Sequence, residues 1–211
     1  MADDFDTDGR HAASARALRD AMRAYAELSD ETFTAVLACC RPLRLERGDY
    51  FCRLGSTPTR FAFVVAGLLR CFVSDPEGNE YNKIFFDEGS FPGSMAALLT
   101  GAPSTVAIEA LEPCELLAID FAAFRRALRE RADLQWFQIR YLEQNWLLRK
   151  EPREFALVQQ EAADRYRAFL RESPRLAARL PLFHVASHLG VTPTQLSRIR
   201  RALRDDGEPE S

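Results

Sequence analysis

The sequence predicts an α+β chain: helices, then a β-rich body, then helices that end in a helix-turn-helix. Three observations carry this reading. Within residues 43–120, short apolar or alternating runs recur at roughly ten-residue intervals, each bounded by Gly, Pro, Asp or Asn. From Phe121 onward the apolar residues return to helical spacing. Residues 182–204, LFHVASHLGVTPTQLSRIRRALR, carry stop and start signals for two short helices around one tight turn.

Residues 1–12 are acidic and are expected to form a disordered tail. They lack the charged-then-apolar pattern of a signal peptide, and no run of about 20 apolar residues follows, so a cytoplasmic protein with no membrane segment is expected. Residues 13–40 have helical periodicity through Ala15, Leu18, Met22, Tyr25 and Leu28. Ser29 is an N-cap for a second start, and Pro42 ends the segment. Strands are expected at 49–52, 60–65, 68–73, 81–86, 106–111 and 116–119, with a hairpin turning at Asp75-Pro76-Glu77-Gly78-Asn79. Strands so spaced argue for a sandwich or barrel.

A helix is expected over 121–131 and a longer one over 132–150, with Leu134, Phe137, Tyr141 and Leu148 on one stripe and Trp136, Ile139, Trp146 and Leu147 on flanking faces. A helix apolar on more than one side covers more than its own domain, which suggests a dimer helix; burial wholly within one subunit is the alternative. Pro152 breaks or kinks it, and 155–170 is expected to form a further helix.

Within 182–204, Gly190 is the left-handed stop of the first helix. Thr192, Pro193 and Gln195 form a Thr-x-x-Gln capping box with Pro at the first helical position. Leu196, Ile199 and Leu203 make a buried stripe; Thr194, Ser197, Arg198 and Arg201 make the opposite face. Hydroxyls and guanidiniums in that array read base edges and grip phosphates in a major groove. A solvated αα-corner is the competing reading.

The formal net charge is −3, yet residues 164–204 hold nine arginines against two acids. A basic module on an acidic body is the footprint of DNA binding. Five cysteines show no C-x-x-C pair and no His at ligand spacing, so no disulfide or zinc framework is expected. Cys39 and Cys40 are either core residues or a redox-reactive pair.

The order of these parts resembles the Crp/Fnr family of bacterial transcription regulators over about residues 20–204. The resemblance is carried by FAFVVAGLLRCF at 61–72, by the segment 85–119, and by Arg165-Tyr166 and Phe169-Leu170 ahead of VASHLGVTPTQLSRIR. It implies a cyclic-nucleotide-binding-like jelly roll with N-terminal helices (13–131), a dimerisation helix (132–151) and a DNA-binding helix-turn-helix domain (152–211). It also implies a homodimer on a palindromic operator in double-stranded DNA, with RNA polymerase as a partner.

Relatives that bind cyclic AMP carry a Glu after the Gly-x-Phe-x-Gly segment, and an Arg–Ser or Arg–Thr pair for the phosphate. Here Ser94 and Ser104-Thr105 stand in those places, so cyclic AMP is not expected as a tight ligand. The first 30 residues hold no Cys, and only His11, His184 and His188 are present, so neither an iron–sulfur cluster nor haem is supported, and no cofactor is expected. The concavity near Phe86, Gly93, Ser94, Met95, Ser104 and Thr105 either holds an unidentified small molecule or is filled by side chains.

In the reading helix, Thr194 stands where many relatives have Glu, while Ser197-Arg198 matches one branch of the family. Thr192, Thr194, Gln195, Ser197, Arg198, Arg201 and Arg204 are the expected DNA-facing residues, with Arg198 reading guanine and Arg201 and Arg204 touching phosphates. Seven residues after Arg204 are too few for the hairpin of a complete wing. A cupin-type enzyme is disfavoured, because residues 43–120 contain no His. The remaining alternative is a sensor module that regulates a partner protein through its C-terminal helices.

Overall fold

The computed structural model describes residues 4–148 and 159–205. Its elements run α1 (Asp4–Arg23), α2 (Asp30–Ala38), β1 (Cys40–Leu45), β2 (Tyr50–Cys52), β3 (Arg60–Ala66), β4 (Leu69–Ser74), β5 (Glu80–Phe86), α3 (Met95–Thr100), β6 (Ala107–Ala110), β7 (Cys114–Asp120), α4 (Phe121–Glu130) and α5 (Ala132–Leu142). A π-helical turn, Glu143–Leu148, continues α5; then come α6 (Ala162–Glu172), α7 (Pro174–Arg179), α8 (Leu182–Leu189) and α9 (Pro193–Asp205). The α+β class is as the sequence predicts. The chain divides into two compact units, with the divisions between Cys71 and Phe72, Phe85 and Phe86, and Gln144 and Asn145.

The strands form two sheets, β1-β7-β3 and β2-β6-β4-β5. Strand β7 pairs antiparallel with both neighbours: Leu43 faces Leu116 on one side, and Phe63 faces Leu117 on the other. Side chains alternate across a strand, and β3 divides its residues accordingly. Phe61 and Phe63 join one apolar cluster with Leu18, Met22, Phe91, Phe124, Leu134 and Phe137. Ala62 and Val64 join a second with Cys52, Leu69, Cys71, Ile108 and Leu116. A sheet buried on both faces explains why these strands read as continuous apolar runs.

Several boundaries depart from expectation. Residues 4–12 belong to α1 rather than to a disordered tail. Gly9, Arg10, His11 and Ala12 are exposed there, so no buried apolar face marks this stretch in the sequence. Residues 40–45 are a strand that contains Pro42; β1 is an edge, where a missing N–H is tolerated. Residues 95–100, between the expected strands, form a helix closed by Gly101 at φ 71°. The expected single helix over 132–150 is α5 followed by the π turn. Residues 149–151, Pro152 and the first part of the helix expected at 155–170 lie outside the described residues. The Asp75–Asn79 hairpin is present, closed by the Asp75 N–H donating to the Asn79 carbonyl at 3.0 Å. At Gly67, φ is +103° and a Cβ would lie 2.6 Å from the Pro113 carbonyl oxygen, so the β3–β4 turn accepts only Gly.

Ser29 caps α2 as expected, its hydroxyl accepting from the Thr32 N–H at 3.2 Å. Asp133 of α5 reaches the same cap. It accepts from the Ser29 N–H and the Thr32 hydroxyl, both at 2.9 Å. Burial acts to raise the Asp133 pKa, but these hydrogen bonds outweigh it and hold the carboxyl below its usual 3.8. Stability from this contact is therefore present above the unfolded carboxylate value and is lost as pH falls through the folded one. Asp133→Ala should lower the melting temperature at pH 7, and the gap to the wild type should close as pH drops below 3.8 in melts followed by circular dichroism.

Candidate functional site

The helix-turn-helix is built as its sequence implies. Helix α8 ends at Gly190, φ 70°, in the left-handed conformation, with its N–H on the Ala186 and Ser187 carbonyls. The capping box of α9 is reciprocal: the Thr192 N–H donates to Gln195 Oε1 at 2.9 Å, and the Gln195 N–H donates to Thr192 Oγ1 at 3.2 Å. Gln195 and Thr192 therefore hold the helix start, and that is the role the geometry gives them. Leu196 and Leu203 are buried while Thr194, Ser197, Arg198, Arg201 and Arg204 are exposed, so the expected reading face is open. Residues 206–211, on which the expectation of an incomplete wing rests, lie outside the described residues.

The base of this module is held from two sides. The Arg165 guanidinium of α6 donates to the Leu189 carbonyl from Nε at 3.2 Å and from Nη2 at 3.0 Å, which satisfies an orphan acceptor at the end of α8. Strand β5 is a sheet edge, and α8 covers it. His184, Ser187 and His188 share one face of α8 through their i, i+3, i+4 spacing. The Asn82 N–H donates to Ser187 Oγ at 3.0 Å, and Ser187 Oγ donates to the Glu80 carbonyl at 2.7 Å. The fully buried Asn82 amide donates to the His184 carbonyl at 3.1 Å and meets His184 Nδ1 at 3.2 Å. His188 Nδ1 donates to the Asn82 carbonyl at 3.1 Å. No local pattern in the sequence announces these contacts, because their partners are about a hundred residues apart.

The expected effector residues fall in several surroundings. Ser94 and Ser104 are brought together and buried, with Ser104 Oγ donating to Ser94 Oγ at 2.8 Å. Met95 packs against the first apolar cluster and Phe86 against the second. Gly93 lies so close to the sheet that a Cβ would stand 2.8 Å from Phe61 Cβ. Thr105 is exposed. A groove of about 390 Å³ opens elsewhere, along residues 50–60.

The assignment of Leu134, Phe137 and Tyr141 to a dimer face is corrected. Leu134 and Phe137 are buried in their own unit, and Tyr141 packs edge-on against Tyr25 and Phe91. The outward apolar residues of α5 are instead Trp136 (58% exposed), Ile139 and Leu142; Trp146, Leu147 and Leu148 are exposed on the π turn. Leu148 alone of the expected set remains on an exposed surface.

All five cysteines are buried free thiols. Burial raises the Cys39 pKa and pushes Cys40 up to about 12, the opposite of what a reactive thiolate needs, so the redox-pair reading of Cys39 and Cys40 has no support in their surroundings. Among the described residues, no group of three or more His, Cys, Asp or Glu is placed to hold a metal, and no helix is long and apolar enough to cross a membrane.

Residues 42–131 match the cyclic nucleotide-binding domain family. No curated protein sequence matches the chain. Among solved structures, FixK2 from Bradyrhizobium japonicum superposes with a TM-score of 0.68 at 19% identity, over 80% of this chain and 86% of that one. The chain has a Crp/Fnr-type fold. The c-di-GMP-responsive global regulator CLP of Xanthomonas campestris has the same fold, with a TM-score of 0.67 at 19% identity over 85% of this chain and 93% of that one. So does the Thermus thermophilus catabolite activator protein, with a TM-score of 0.53 at 21% identity over 85% of each chain. Against this Crp/Fnr fold, Ser94 and Ser104 lie inside the segment that matches the nucleotide-binding domain.

Asn82→Ala should cost about 1–3 kcal/mol, because it removes the buried amide that bonds the His184 carbonyl and ring. It should appear as a lower urea midpoint of the full chain.

Proposed function

We propose that this chain is a DNA-binding transcription regulator of the Crp/Fnr type. It acts as a homodimer on a palindromic operator and places α9 in the major groove. The observation that carries the proposal is the two-sided α9. Leu196 and Leu203 bury one side. Thr194, Ser197, Arg198 and Arg201 stand exposed on the other. A reciprocal capping box fixes its first turn. The arginine excess of residues 164–204 supplies the phosphate-directed charge that such a helix requires.

In this reading Arg198 donates bidentately to a guanine edge, Thr194 and Ser197 contact neighbouring bases, and Arg201 and Arg204 bind phosphates. Two copies place their reading helices roughly 34–36 Å apart, one turn of DNA. The exposed Trp136, Ile139 and Leu142 supply the dimer contact, since large apolar side chains clustered on one open helix face mark an interaction surface. RNA polymerase is the partner at the promoter, and the site of action is the cytoplasm. The hydroxyl pair Ser94–Ser104 offers a phosphate no guanidinium, which supports a regulator that does not bind cyclic AMP tightly. A signal received by the β-domain works through its differential affinity for the DNA-competent and incompetent states.

Selection of bound sites from random DNA by the purified protein tests the whole reading. A two-fold symmetric motif is expected, and an enriched motif without symmetry sinks the dimer model. Arg198→Ala should lose about 1–3 kcal/mol of discrimination at one base pair per half-site. Arg201→Ala should weaken operator and random DNA alike and flatten the salt dependence by about one unit of slope. Ile139→Glu should convert the dimer to a monomer in analytical ultracentrifugation while leaving the circular dichroism spectrum intact. A dimer that survives this change places the subunit contact elsewhere.

A further inference from the structure

The groove along residues 50–60 belongs neither to the Ser94–Ser104 pair nor to the reading helix. It is formed by β2, the start of β3 and the loop between them, and its volume of about 390 Å³ falls within the range of small-molecule sites. Two guanidiniums line it, Arg53 where the loop leaves β2 and Arg60 where β3 begins. Each is already held against a ring. The Arg53 guanidinium carbon lies 4.3 Å from the centre of the Tyr50 ring, and that of Arg60 lies 5.8 Å from the centre of Phe51. A guanidinium with its face on an aromatic ring keeps its N–H edge for the oxygens of an anion. Among the described residues neither Arg53 nor Arg60 has an ion-pair partner, whereas Arg44, Arg70, Arg131, Arg167 and Arg171 are each matched to a carboxylate.

The loop that carries this pair is anchored along its length. The Gly55 N–H donates to the Ser104 carbonyl at 2.8 Å, and the Ser104 N–H returns to the Ser56 carbonyl at 2.8 Å. Ser56 Oγ donates to the Arg53 carbonyl at 2.6 Å, and the Phe121 N–H holds the Thr59 carbonyl at 3.0 Å. The site is thus formed before any ligand arrives, and little ordering entropy is lost on binding. Thr57 and Thr59 add hydroxyl donors to the lining.

We propose that this groove is an anion site for a small phosphorylated molecule, with Arg53 and Arg60 gripping adjacent phosphoryl groups. Two separate forks on one groove match a diphosphate better than a single carboxylate, because each fork takes two oxygens and a carboxylate supplies two in all. The loop's bonds to Ser104 connect this site to the buried Ser94–Ser104 hydroxyl pair. The proposal does not depend on the DNA-binding reading.

The test is isothermal titration of the full chain with inorganic pyrophosphate, paired with phenylglyoxal modification mapped by mass spectrometry. Saturable binding is expected, and pyrophosphate should protect Arg53 and Arg60 from modification. R53Q/R60Q should weaken binding roughly ten- to hundredfold, the loss expected for hydrogen bonds to a charged group. The charge-matched control R125Q/R129Q, on the exposed side of α4, should bind as the wild type does. Absence of saturable binding, equal weakening in the control, or protection that falls on Arg198 and Arg201 instead overturns the proposal. The protection map is read on the wild-type protein, so it decides the matter even if the double variant folds poorly.

Discussion

The antiparallel pairing of β7 with both β1 and β3 is the constraint on which the rest of the β-domain depends. A strand paired on both edges satisfies all its backbone donors and acceptors, and it is then free to bury both faces. Leu117 and Ile119 go to the helix-covered core, and Cys114 and Leu116 go to the interior between the sheets. A slip of one residue would exchange these sets. The register also places Asp120, whose carboxylate accepts from the Ala123 N–H at 2.7 Å and starts α4 without a loop. Helices α4 and α5 follow, and Asp133 at the head of α5 closes the circuit onto the cap of α2.

That circuit explains why α5 has two apolar sides. Its inner stripe completes an aromatic cluster in which Phe137 lies 5.9 Å from Phe91 and 5.7 Å from Tyr25, in edge-to-face geometry. The outer side chains, Trp136, Ile139 and Leu142, are exposed. A helix so placed serves its own domain with one face and leaves large apolar side chains exposed on the other, and π geometry begins after Leu142.

The C-terminal unit follows a different logic. Its helices are short, and short helices are held by caps and packing rather than by propensity. Gly190, the Thr192–Gln195 box and the Arg165 guanidinium on Leu189 satisfy the chain ends around the turn. The hairpin strand β5 presents its edge to α8, and Asn82 satisfies the buried polar groups there. On α9, Leu196 and Leu203 are buried while Thr194, Ser197, Arg198 and Arg201 stand exposed on the other side.

The sequence by itself determined whatever depends on near neighbours. The helix-turn-helix was legible because Gly190, Thr192, Pro193 and Gln195 act within a few residues of one another, and because the period of Leu196 and Leu203 separates a buried face from an open one. The Asp75–Asn79 hairpin and most strands were legible for the same reason. Only the tertiary structure decided what depends on long-range pairing. Pro42 is tolerated in β1 because that strand is an edge. Phe137 and Tyr141 turn inward because Phe91 and Tyr25 wait there. Ser94 and Ser104 close on each other across ten positions. Arg53 and Arg60 share a groove because Ser104 and Phe121 pin the loop between them. Periodicity tells which side of an element is apolar, but the partner that covers it is set by the fold.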